Sequence, residues 1–322
     1  MVFEGAKLHS CSVGGKWLYV SLPKIGIVKI RHHRSLPNGA MLKSLQVIKK
    51  ADGWYINLRL EDTSVPDFKP DITPTWGNSL GMDAVLHEDD YLATSEGVKL
   101  PSLKSFRKSQ HKLAIVSQRK SNRKRGTKAR RKLAKREARV HQRIARARKD
   151  HAYKSAHQLM ATDKKVFFHE KLNLARLSKR NKPKQDETGR YLPNGQSAKT
   201  GLNKSWADAA FGQFFNILKY IGEKTGASVV AVNPAYTSMI LPYKDEFVFT
   251  DVSIRKYWDE ELKLWVDRDI ASSINLKRVG LDLFPTIIRR KGNPVVKAST
   301  TNSTSKLVLS ILLDLEKPAL YA

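Results

Sequence analysis

Three short apolar runs, each followed closely by a carboxylate, constrain the fold of this chain more than any other feature. The carboxylates are Asp83, Glu170 and Asp269. Continuous apolar runs of this length are typical of buried strands. From residue 79 onward the predicted order is a β-hairpin, helices, a strand, a helix, a strand and a helix. This order favours a mixed α/β sheet with helical insertions, in which strand ends and a helix start carry the acids.

The charge of the chain indicates a polyanionic partner. Its 322 residues include 59 Lys and Arg against 30 Asp and Glu, which gives a formal net charge of +29. A compact fold with this excess repels itself, so a polyanion is the natural complement. We therefore expect nucleic acid to be the partner.

Other classes of protein are disfavoured by what the sequence lacks. No apolar run approaches the ~18–20 residues of a membrane span, and the first residues show no signal-peptide pattern. Cys11 is the single cysteine, so neither an internal disulfide nor a cysteine zinc cluster is expected. We predict a soluble, intracellular protein that has no membrane partner.

The N-terminal part has the pattern of a small β-barrel. Residues 1–62 contain several short strand-like runs, and Asp52-Gly53 is typical of a hairpin turn. The run that begins at Trp54 alternates apolar and polar residues, as a half-buried strand does. Prolines mark residues 63–78 as a linker.

A strongly basic segment, residues 104–150, predicts a helical hairpin. Gly126 divides it into two helices, and the second carries a narrow apolar seam of Leu133, Val140, Ile144 and Ala147. Charge runs are often only solvated faces, yet a single glutamate accompanies these cations up to Lys149, which favours nucleic-acid binding. The cations predicted to bind nucleic acid are Arg119, Lys120, Arg123, Lys124, Arg125, Lys128, Arg130, Arg131, Arg139, Arg143 and Arg146.

The second half alternates apolar and polar segments. Residues 176–204 are polar and predict a loop or a disordered segment. A long helix is expected from about Trp206 to Thr225, and another begins at Asp269. Residues 294–322 form a loosely held tail, with a short helix expected near Leu307.

The three carboxylates suit divalent-ion chemistry. Phosphodiester cleavage needs a nucleophilic water, a stabilised leaving oxygen and neutralised phosphate charge, and two ions ~3.5–4 Å apart supply all three. Hard oxygen ligands favour Mg²⁺ or Mn²⁺. A structural alternative remains open, because Asp269 could cap its helix and Glu170 could pair with Lys171.

Several segments resemble the TnpB proteins of bacterial insertion sequences. Gly81-Met-Asp83, Phe168-His-Glu170 and Asp267-Arg-Asp269 are similar to the three motifs of a RuvC nuclease site. Lys128-Ala-Arg-Arg resembles the basic helical segment beside that site, and Ala51-Asp-Gly-Trp-Tyr resembles the family's barrel, or wedge, domain.

The resemblance implies an RNase H-like (RuvC) nuclease domain over residues 79–293, preceded by a partial wedge domain. It implies that Asp83, Glu170 and Asp269 bind Mg²⁺ or Mn²⁺, with two ions, and catalyse cleavage. It also implies a guide RNA from the transposon end and a double-stranded DNA target, hence an RNA-guided DNA endonuclease of the bacterial cytoplasm that acts at the nucleoid. The alternatives are a nuclease-inactive or truncated remnant that binds RNA or DNA, and a general basic RNA-binding protein.

Two departures from the family pattern carry expectations of their own. Residues 239–266, where the family has paired zinc-binding cysteines, contain none. No zinc is therefore expected there, and the side chains of Trp258, Trp265, Phe247 and Phe249 are predicted to form an apolar core instead. The chain also begins within the wedge domain, from which a truncated N-terminus is expected.

Overall fold

The chain folds into two compact units in the computed structural model, which describes residues 1–9, 16–33, 35–63, 68, 71–290 and 292–316. The first unit comprises Met1–Lys69 and Lys112–Arg143, and the second comprises Pro70–His111 and Ile144–Ala322. Cys11, part of the predicted linker and the last six residues lie outside the described residues.

The first unit contains two antiparallel three-stranded sheets. In one sheet β1 pairs with β5 and β5 with β6, and in the other β2 pairs with β3 and β3 with β4. Leu18, Val20, Leu22 and Leu45 are buried between them, because alternate residues of a strand point to the same face. The strands are β1 (Val2–Glu4), β2 (Lys7–His9), β3 (Trp17–Leu22), β4 (Gly26–Arg31), β5 (Met41–Lys49) and β6 (Trp54–Glu61).

The predicted helical hairpin is present and longer than expected. Helix α1 (Ser105–Ser121) and helix α2 (Lys128–Met160) flank a turn in which Gly126 has a φ of +82°, a conformation that glycine adopts without steric cost. Of the predicted seam, Val140 and Ile144 are buried. The middle of the hairpin, Lys112–Arg143, groups with the first unit, where the Gln142 side chain donates to Asp52 over 2.7 Å.

A five-stranded mixed sheet forms the centre of the second unit. Its order is β13-β10-β7-β8-β9; β10 is parallel to both β7 and β13, whereas β7, β8 and β9 are antiparallel. Phe211, Phe214 and Leu218 pack in the core with residues of this sheet. The strands are β7 (Ser79–Ala84), β8 (Asp90–Thr94), β9 (Lys99–Pro101), β10 (Val166–Glu170) and β13 (Ser228–Val232).

Helix α6 (Arg268–Gly280) lies across β7 and β10. A Cβ added at Gly81 would lie 2.0 Å from the Ser273 carbonyl oxygen, and one added at Gly280 would lie 2.3 Å from the Phe168 ring. At Gly81 only glycine permits so close an approach of the two backbones, and at Gly280 the absence of a side chain leaves room for the Phe168 ring. The two glycines therefore bring the helix directly onto the strands that end in carboxylates.

Of two predictions for the segment between β10 and β13, the loop was only partly right and the single long helix was wrong. The polar segment is ordered: it forms α3 (Leu174–Leu177), a small hairpin of β11 (Lys184–Gln185) and β12 (Tyr191–Leu192), and the start of α4 (Gln196–Ala209). The expected long helix is broken, since α4 ends and α5 (Phe211–Thr225) begins at Ala210, which has a φ of +54°.

The region after β13 contains a hairpin of β14 (Lys256–Asp259) and β15 (Leu264–Asp267). Its predicted aromatic core was only partly right. Phe249 is buried, but Trp258 and Trp265 occupy the outer face of the hairpin and are 36% and 55% exposed. Alternation along each strand turns Leu264 and Val266 inward instead.

The C-terminal segment is more regular than predicted. A hairpin of β16 (Thr286–Arg290) and β17 (Asn293–Ala298) precedes α7 (Thr301–Glu316), whose Val308 and Leu312 pack against α6 and β15 residues. No helix within the described part of the chain combines the length and apolarity needed to cross a membrane.

Candidate active site

Parallel pairing of β7 and β10 brings two of the predicted carboxylates together. Met82 is in register with His169, so Asp83 and Glu170 follow side by side at the same edge of the sheet. The Glu170 carboxylate accepts a hydrogen bond from the backbone N–H of Ala84 (3.2 Å). Glu170 forms no ion pair with Lys171 among the described residues, so that structural alternative is wrong.

The third carboxylate, Asp269, reaches the same edge from α6. It is 8% exposed. The helix is capped by Asp267, whose carboxylate accepts from the backbone N–H groups of Asp269 (2.9 Å) and Ile270 (3.2 Å). The side chain of Asp269 is therefore not used as the cap.

The three carboxylates interact electrostatically. Burial raises the pKa of Asp83 well above its usual range, and the negative charges of Glu170 and Asp269 raise it further, while a hydrogen bond with Ser272 opposes the shift. Burial raises the pKa of Glu170 to about 7. Like charges held in a partly buried site disfavour one another's ionisation. A bound cation would reduce this repulsion between the carboxylates.

Two cations from neighbouring elements face Asp269. Lys99 Nζ on β9 lies 2.9 Å from Asp267 Oδ2, 3.0 Å from Asp90 Oδ2 and 3.7 Å from Asp269 Oδ2. Arg255 Nη1 lies 3.5 Å from Asp269 Oδ1. Burial and the charge of Asp267 nevertheless raise the pKa of Asp269.

The donor set fits a hard divalent ion by its chemistry. Three carboxylates offer only oxygen ligands, which Mg²⁺ and Mn²⁺ prefer over nitrogen and sulfur. Burial, and after it the negative charges of Glu170 and Asp269, raise the pKa of Asp83. Within the described ranges, no group of three His, Cys, Asp or Glu side chains is already close enough to hold a metal ion. The carboxylates share one edge without forming a closed coordination shell.

Most of the predicted nucleic-acid-binding cations are exposed on α1, α2 and the turn between them. Lys120 and Arg130 instead hold the hairpin together. Lys120 forms an ion pair with Glu137, and the Arg130 guanidinium donates to the carbonyls of Lys120 (3.0 Å) and Arg123 (2.8 Å). The exposed members are Arg119, Arg123, Lys124, Arg125, Lys128, Arg131, Arg139, Arg143 and Arg146.

Three residues of the site were not predicted: Lys99, Arg255 and Ser272. Lys99 is one of many cations in the sequence, and only the β8–β9 pairing brings it to Asp267. Ser272 lies three residues after Asp269 in the same motif, which is one helical turn. That spacing was the only feature of the sequence that could have indicated a role for Ser272 in the site.

Comparison with known proteins decides the family. Residues 65–181 match the family model described as OrfB_IS605, "Probable transposase", and residues 211–276 match "Cas12f1-like, TNB domain". The chain is 28% identical over 226 residues to the "Putative RNA-guided DNA endonuclease InsQ" of Escherichia coli K12, covering 70% of this chain and 52% of that protein. It is 26% identical over 254 residues to a "Putative RNA-guided DNA endonuclease" of Streptomyces pristinaespiralis, covering 78% and 56%.

The chain belongs to the TnpB family. It spans about half the length of the two curated relatives that it matches. Among solved structures it is similar to a Cas12f1–sgRNA–target DNA complex, with 14% identity, a TM-score of 0.40 and coverage of 74% of this chain and 56% of that one. A CRISPR-Cas12f ternary complex has 14% identity and a TM-score of 0.42, with coverage of 81% and 47%.

Proposed function

We propose that this TnpB-family protein is an RNA-guided, divalent-metal-dependent DNA endonuclease associated with an insertion sequence. The observation that carries the proposal is the convergence of Asp83, Glu170 and Asp269 at one sheet edge, from three separate elements. The sheet supports an RNase H-like (RuvC) nuclease, since three antiparallel strands are followed by two parallel ones on the other side of β7.

The three carboxylates would hold the metal ions. When bound, two Mg²⁺ or Mn²⁺ ions would activate a water as the nucleophile and would stabilise the leaving oxygen of the phosphodiester. The Ala84 N–H fixes one oxygen of Glu170, and Ser272 orients Asp83. Asp267 holds the first turn of α6, so that Asp269 is presented by a rigid helix end.

The exposed cations of the helical hairpin would bind the phosphates of a guide RNA or of its hybrid with DNA. In RNA-guided recognition, base pairing selects the sequence while the protein contacts the sugar-phosphate backbone. Arg139 and Arg143 are four residues apart on α2 and exposed on one face, so they can contact phosphates together. The guide from the transposon end and the double-stranded target are parts of this proposal.

The test is cleavage of a plasmid that matches the guide. RNA that co-purifies with the protein is sequenced, and its complement is cloned into the plasmid. Mg²⁺-dependent cutting is expected with wild type, and none with Asp83→Ala or Glu170→Ala. Asp150→Ala is the matched control, because Asp150 is 64% exposed and pairs only at the surface with Lys154.

The same experiment separates the alternatives. Cutting that survives Asp83→Ala would overturn the assignment of the site. Guide-dependent retention of DNA without cutting would identify a nuclease-inactive binding protein. Binding of RNA irrespective of the guide sequence would identify a general RNA-binding protein.

A further inference from the structure

Lys99 is held in place by two carboxylates that lie outside the proposed metal-binding triad. Its Nζ lies 3.0 Å from Asp90 Oδ2 and 2.9 Å from Asp267 Oδ2. Hydrogen bonds that involve ionised groups are roughly twice as strong as neutral ones. The lysine side chain is only 23% exposed, so solvent screens these pairs incompletely. The ammonium therefore occupies a defined position beside the start of α6.

This ammonium remains charged throughout the neutral pH range. Burial disfavours the charged form, but the hydrogen bonds to Asp267 and Asp90 outweigh that effect and raise the pKa of Lys99 above its usual value. An unperturbed lysine already titrates only at about pH 10.4. Lys99 therefore places a permanent positive charge at the candidate active site.

The Lys99 ammonium lies close to Asp269 without occupying its carboxylate. The distance from Nζ to Asp269 Oδ2 is 3.7 Å, which is too long for a hydrogen bond but short enough for a strong Coulombic interaction. That oxygen therefore keeps its lone pairs for a metal ion. Arg255 Nη1 lies 3.5 Å from the other oxygen, Oδ1, but the arginine side chain is 37% exposed, so solvent screens more of its charge.

Lys99 has two opposite effects on a divalent ion at Asp269. It supports the orientation of Asp269, because it donates to Oδ2 of Asp267, the residue that caps the helix. It also repels the ion. The cap itself is made by the other oxygen, since Asp267 Oδ1 accepts from the backbone N–H groups of Asp269 and Ile270. Because the cap does not need the lysine, the support of orientation is the smaller of the two effects.

The repulsion is the larger effect. An ion bound to Asp269 Oδ2 at about 2.1 Å lies no more than about 6 Å from Lys99 Nζ. At that separation a single positive charge weakens the binding of a divalent ion about tenfold even with the dielectric constant of bulk water. The effect is greater in a partly buried site, and Asp269 is only 8% exposed. The net effect of Lys99 is therefore to weaken metal binding.

We propose that the Lys99 ammonium keeps divalent-ion binding at Asp269 weak until a phosphate of the nucleic acid reaches the site. A phosphodiester carries one negative charge, which compensates the ammonium, and it adds oxygen ligands of the kind that Mg²⁺ and Mn²⁺ prefer. The free protein would then hold its ions loosely, and the complex with nucleic acid would hold them firmly. The inference rests on the proposed function, which it extends by naming a residue that regulates the same site.

Electron paramagnetic resonance of Mn²⁺ measures this effect without any cleavage. The full chain, freed of nucleic acid, is titrated with Mn²⁺, and binding at the site is the part that Asp83→Ala removes. Lys99→Met is expected to bind Mn²⁺ about tenfold more tightly than wild type, whereas Lys99→Arg, which keeps the charge, is expected to match wild type. Unchanged or weaker binding by Lys99→Met would overturn the proposal.

A matched control separates the charge at the site from net charge. Lys154 also lies 2.9 Å from an aspartate, Asp150, but its side chain is 76% exposed. Lys154→Met is therefore expected to leave Mn²⁺ binding unchanged. A gain in affinity equal to that of Lys99→Met would assign the effect to net charge and contradict the proposal.

A second neutral variant separates the charge of Lys99 from its hydrogen bonds. Lys99→Gln can still donate to Asp267 and is expected to show the same gain as Lys99→Met. Wild-type affinity for Lys99→Gln would show that the hydrogen bond matters and the charge does not, against the proposal. This variant also keeps the test valid if the methionine variant does not fold, which thermal unfolding in EDTA reports.

A single-stranded DNA oligonucleotide tests the role of the phosphate. Its addition is expected to tighten Asp83-dependent Mn²⁺ binding by wild type. A smaller gain is expected for Lys99→Met, in which no ammonium has to be compensated. An equal gain for both chains, or no gain for wild type, would refute the coupling between the lysine and the nucleic acid.

The plasmid assay separates failure of this inference from failure of the proposed function. Asp83-dependent Mn²⁺ binding that is identical in wild type and Lys99→Met would overturn the inference and leave the nuclease unaffected. A wild-type chain that never cuts the matched plasmid, although Lys99→Met binds Mn²⁺ more tightly, would overturn the nuclease and support the inference.

Discussion

Gly81 on β7 and Ser273 on α6 are in such close contact that a Cβ on Gly81 would lie 2.0 Å from the Ser273 carbonyl oxygen. The same Cβ would lie 2.8 Å from Lys277 Cβ. This contact fixes the distance between the strand that carries Asp83 and the helix that carries Asp269. Packing of one glycine thus controls the geometry of two carboxylates.

Gly81→Ala is expected to displace α6 and to abolish cleavage. Overpacking of this kind typically costs about 1–3 kcal/mol of the free energy of unfolding, and the helix cannot yield without moving Asp269. Thermal unfolding and plasmid cleavage measure the two effects. Gly77→Ala is the control, because a Cβ there meets no atom within 4 Å; equal behaviour of the two variants would refute the packing argument.

Asp83→Asn is expected to stabilise the ion-free protein while abolishing cleavage. Burial, Glu170 and Asp269 raise the pKa of Asp83, so the folded state binds protons more tightly than the unfolded chain and loses stability as the carboxylates ionise. For Glu170, whose pKa is raised to about 7, this loss develops between about pH 4 and pH 7. The neutral amide removes one of the repelling charges.

Thermal unfolding in EDTA and in Mg²⁺ measures this prediction. The variant is expected to melt higher than wild type in EDTA, by about 2–4 °C for each kcal/mol of added stability. Mg²⁺ is expected to raise the melting temperature of wild type and to have a smaller effect on the variant. A wild-type protein indifferent to Mg²⁺ would argue against a metal site.

RNA binding is expected to be weaker, and to depend less on salt concentration, when Gln replaces Arg119, Arg139 and Arg143. All three cations are exposed on the helical hairpin. Each phosphate that the protein no longer neutralises reduces the slope of log K against log salt by about 0.7–0.9, so the slope of the triple variant should fall by about 2. The control variant has glutamine at Lys154, Lys219 and Lys224, which are also exposed, and so loses the same charge elsewhere on the protein. An equal fall in the slope for this control would mean that RNA binding depends only on net charge.

Local patterns predicted the elements of the site but not their surroundings. The apolar runs before Asp83 and Glu170 indicated strands, and the sheet places them side by side as expected for parallel neighbours. The contribution of Lys99 could not be predicted, because the pairing of β9 with β8 brings its side chain to Asp267 and Asp269, which lie far away in the sequence. Periodicity reports which residues are buried, whereas partners in an ion cluster depend on tertiary structure.

The largest errors were the prediction of a loop or disorder from polar composition and the prediction of one continuous helix where the chain forms two. The polar segment 176–204 was expected to be a loop or disordered. Its middle is a loop organised by turn-type bonds, for example from Thr188 and Arg190 to Asp186, but its two ends belong to α3 and α4. The apolar periodicity of the sequence continues across Ala210. Nothing about an alanine in the sequence indicates the positive φ that separates α4 from α5 at this residue. Trp258 and Trp265 were assigned to a core from residue type alone, although strand alternation puts them outside.

Asp259→Asn is expected to destabilise the region that contains the β14–β15 hairpin. Burial alone would raise the pKa of Asp259, but hydrogen bonds from Tyr243 (2.7 Å) and Lys244 (2.9 Å) lower it to about 2. Since the unfolded value is near 4, the carboxylate contributes on the order of 2 kcal/mol above pH 4. That contribution is lost as the pH falls from about 4 to about 2.

Denaturant unfolding at several pH values measures this effect. The difference between wild type and Asp259→Asn should be full at pH 7 and shrink below pH 4. Glu261→Gln is the control, because Glu261 pairs with the same lysine but is 78% exposed, and exposed pairs contribute little. A pH-independent difference would show that packing, not charge, accounts for the loss.

Asp245→Asn is expected to be among the most destabilising single changes in the second unit. Arg278 Nη2 lies 2.8 Å from Asp245 Oδ1, and both side chains are almost fully buried. Asp245 Oδ2 also accepts from Ser299 Oγ (2.7 Å) and from the backbone N–H of Thr300 (2.9 Å), which holds the start of α7 against α6.

Removing one partner of a buried pair leaves the other charge uncompensated and costs about 3–5 kcal/mol. Asp245→Asn should therefore lower the melting temperature far more than Asp150→Asn, which breaks an exposed pair with Lys154. A double variant, Asp245→Asn with Arg278→Met, removes both charges and is expected to recover part of the loss, since an apolar pair can replace a buried ion pair. If the double variant is no more stable than Asp245→Asn, the loss comes from the bonds to Ser299 and Thr300 and not from the unpaired guanidinium.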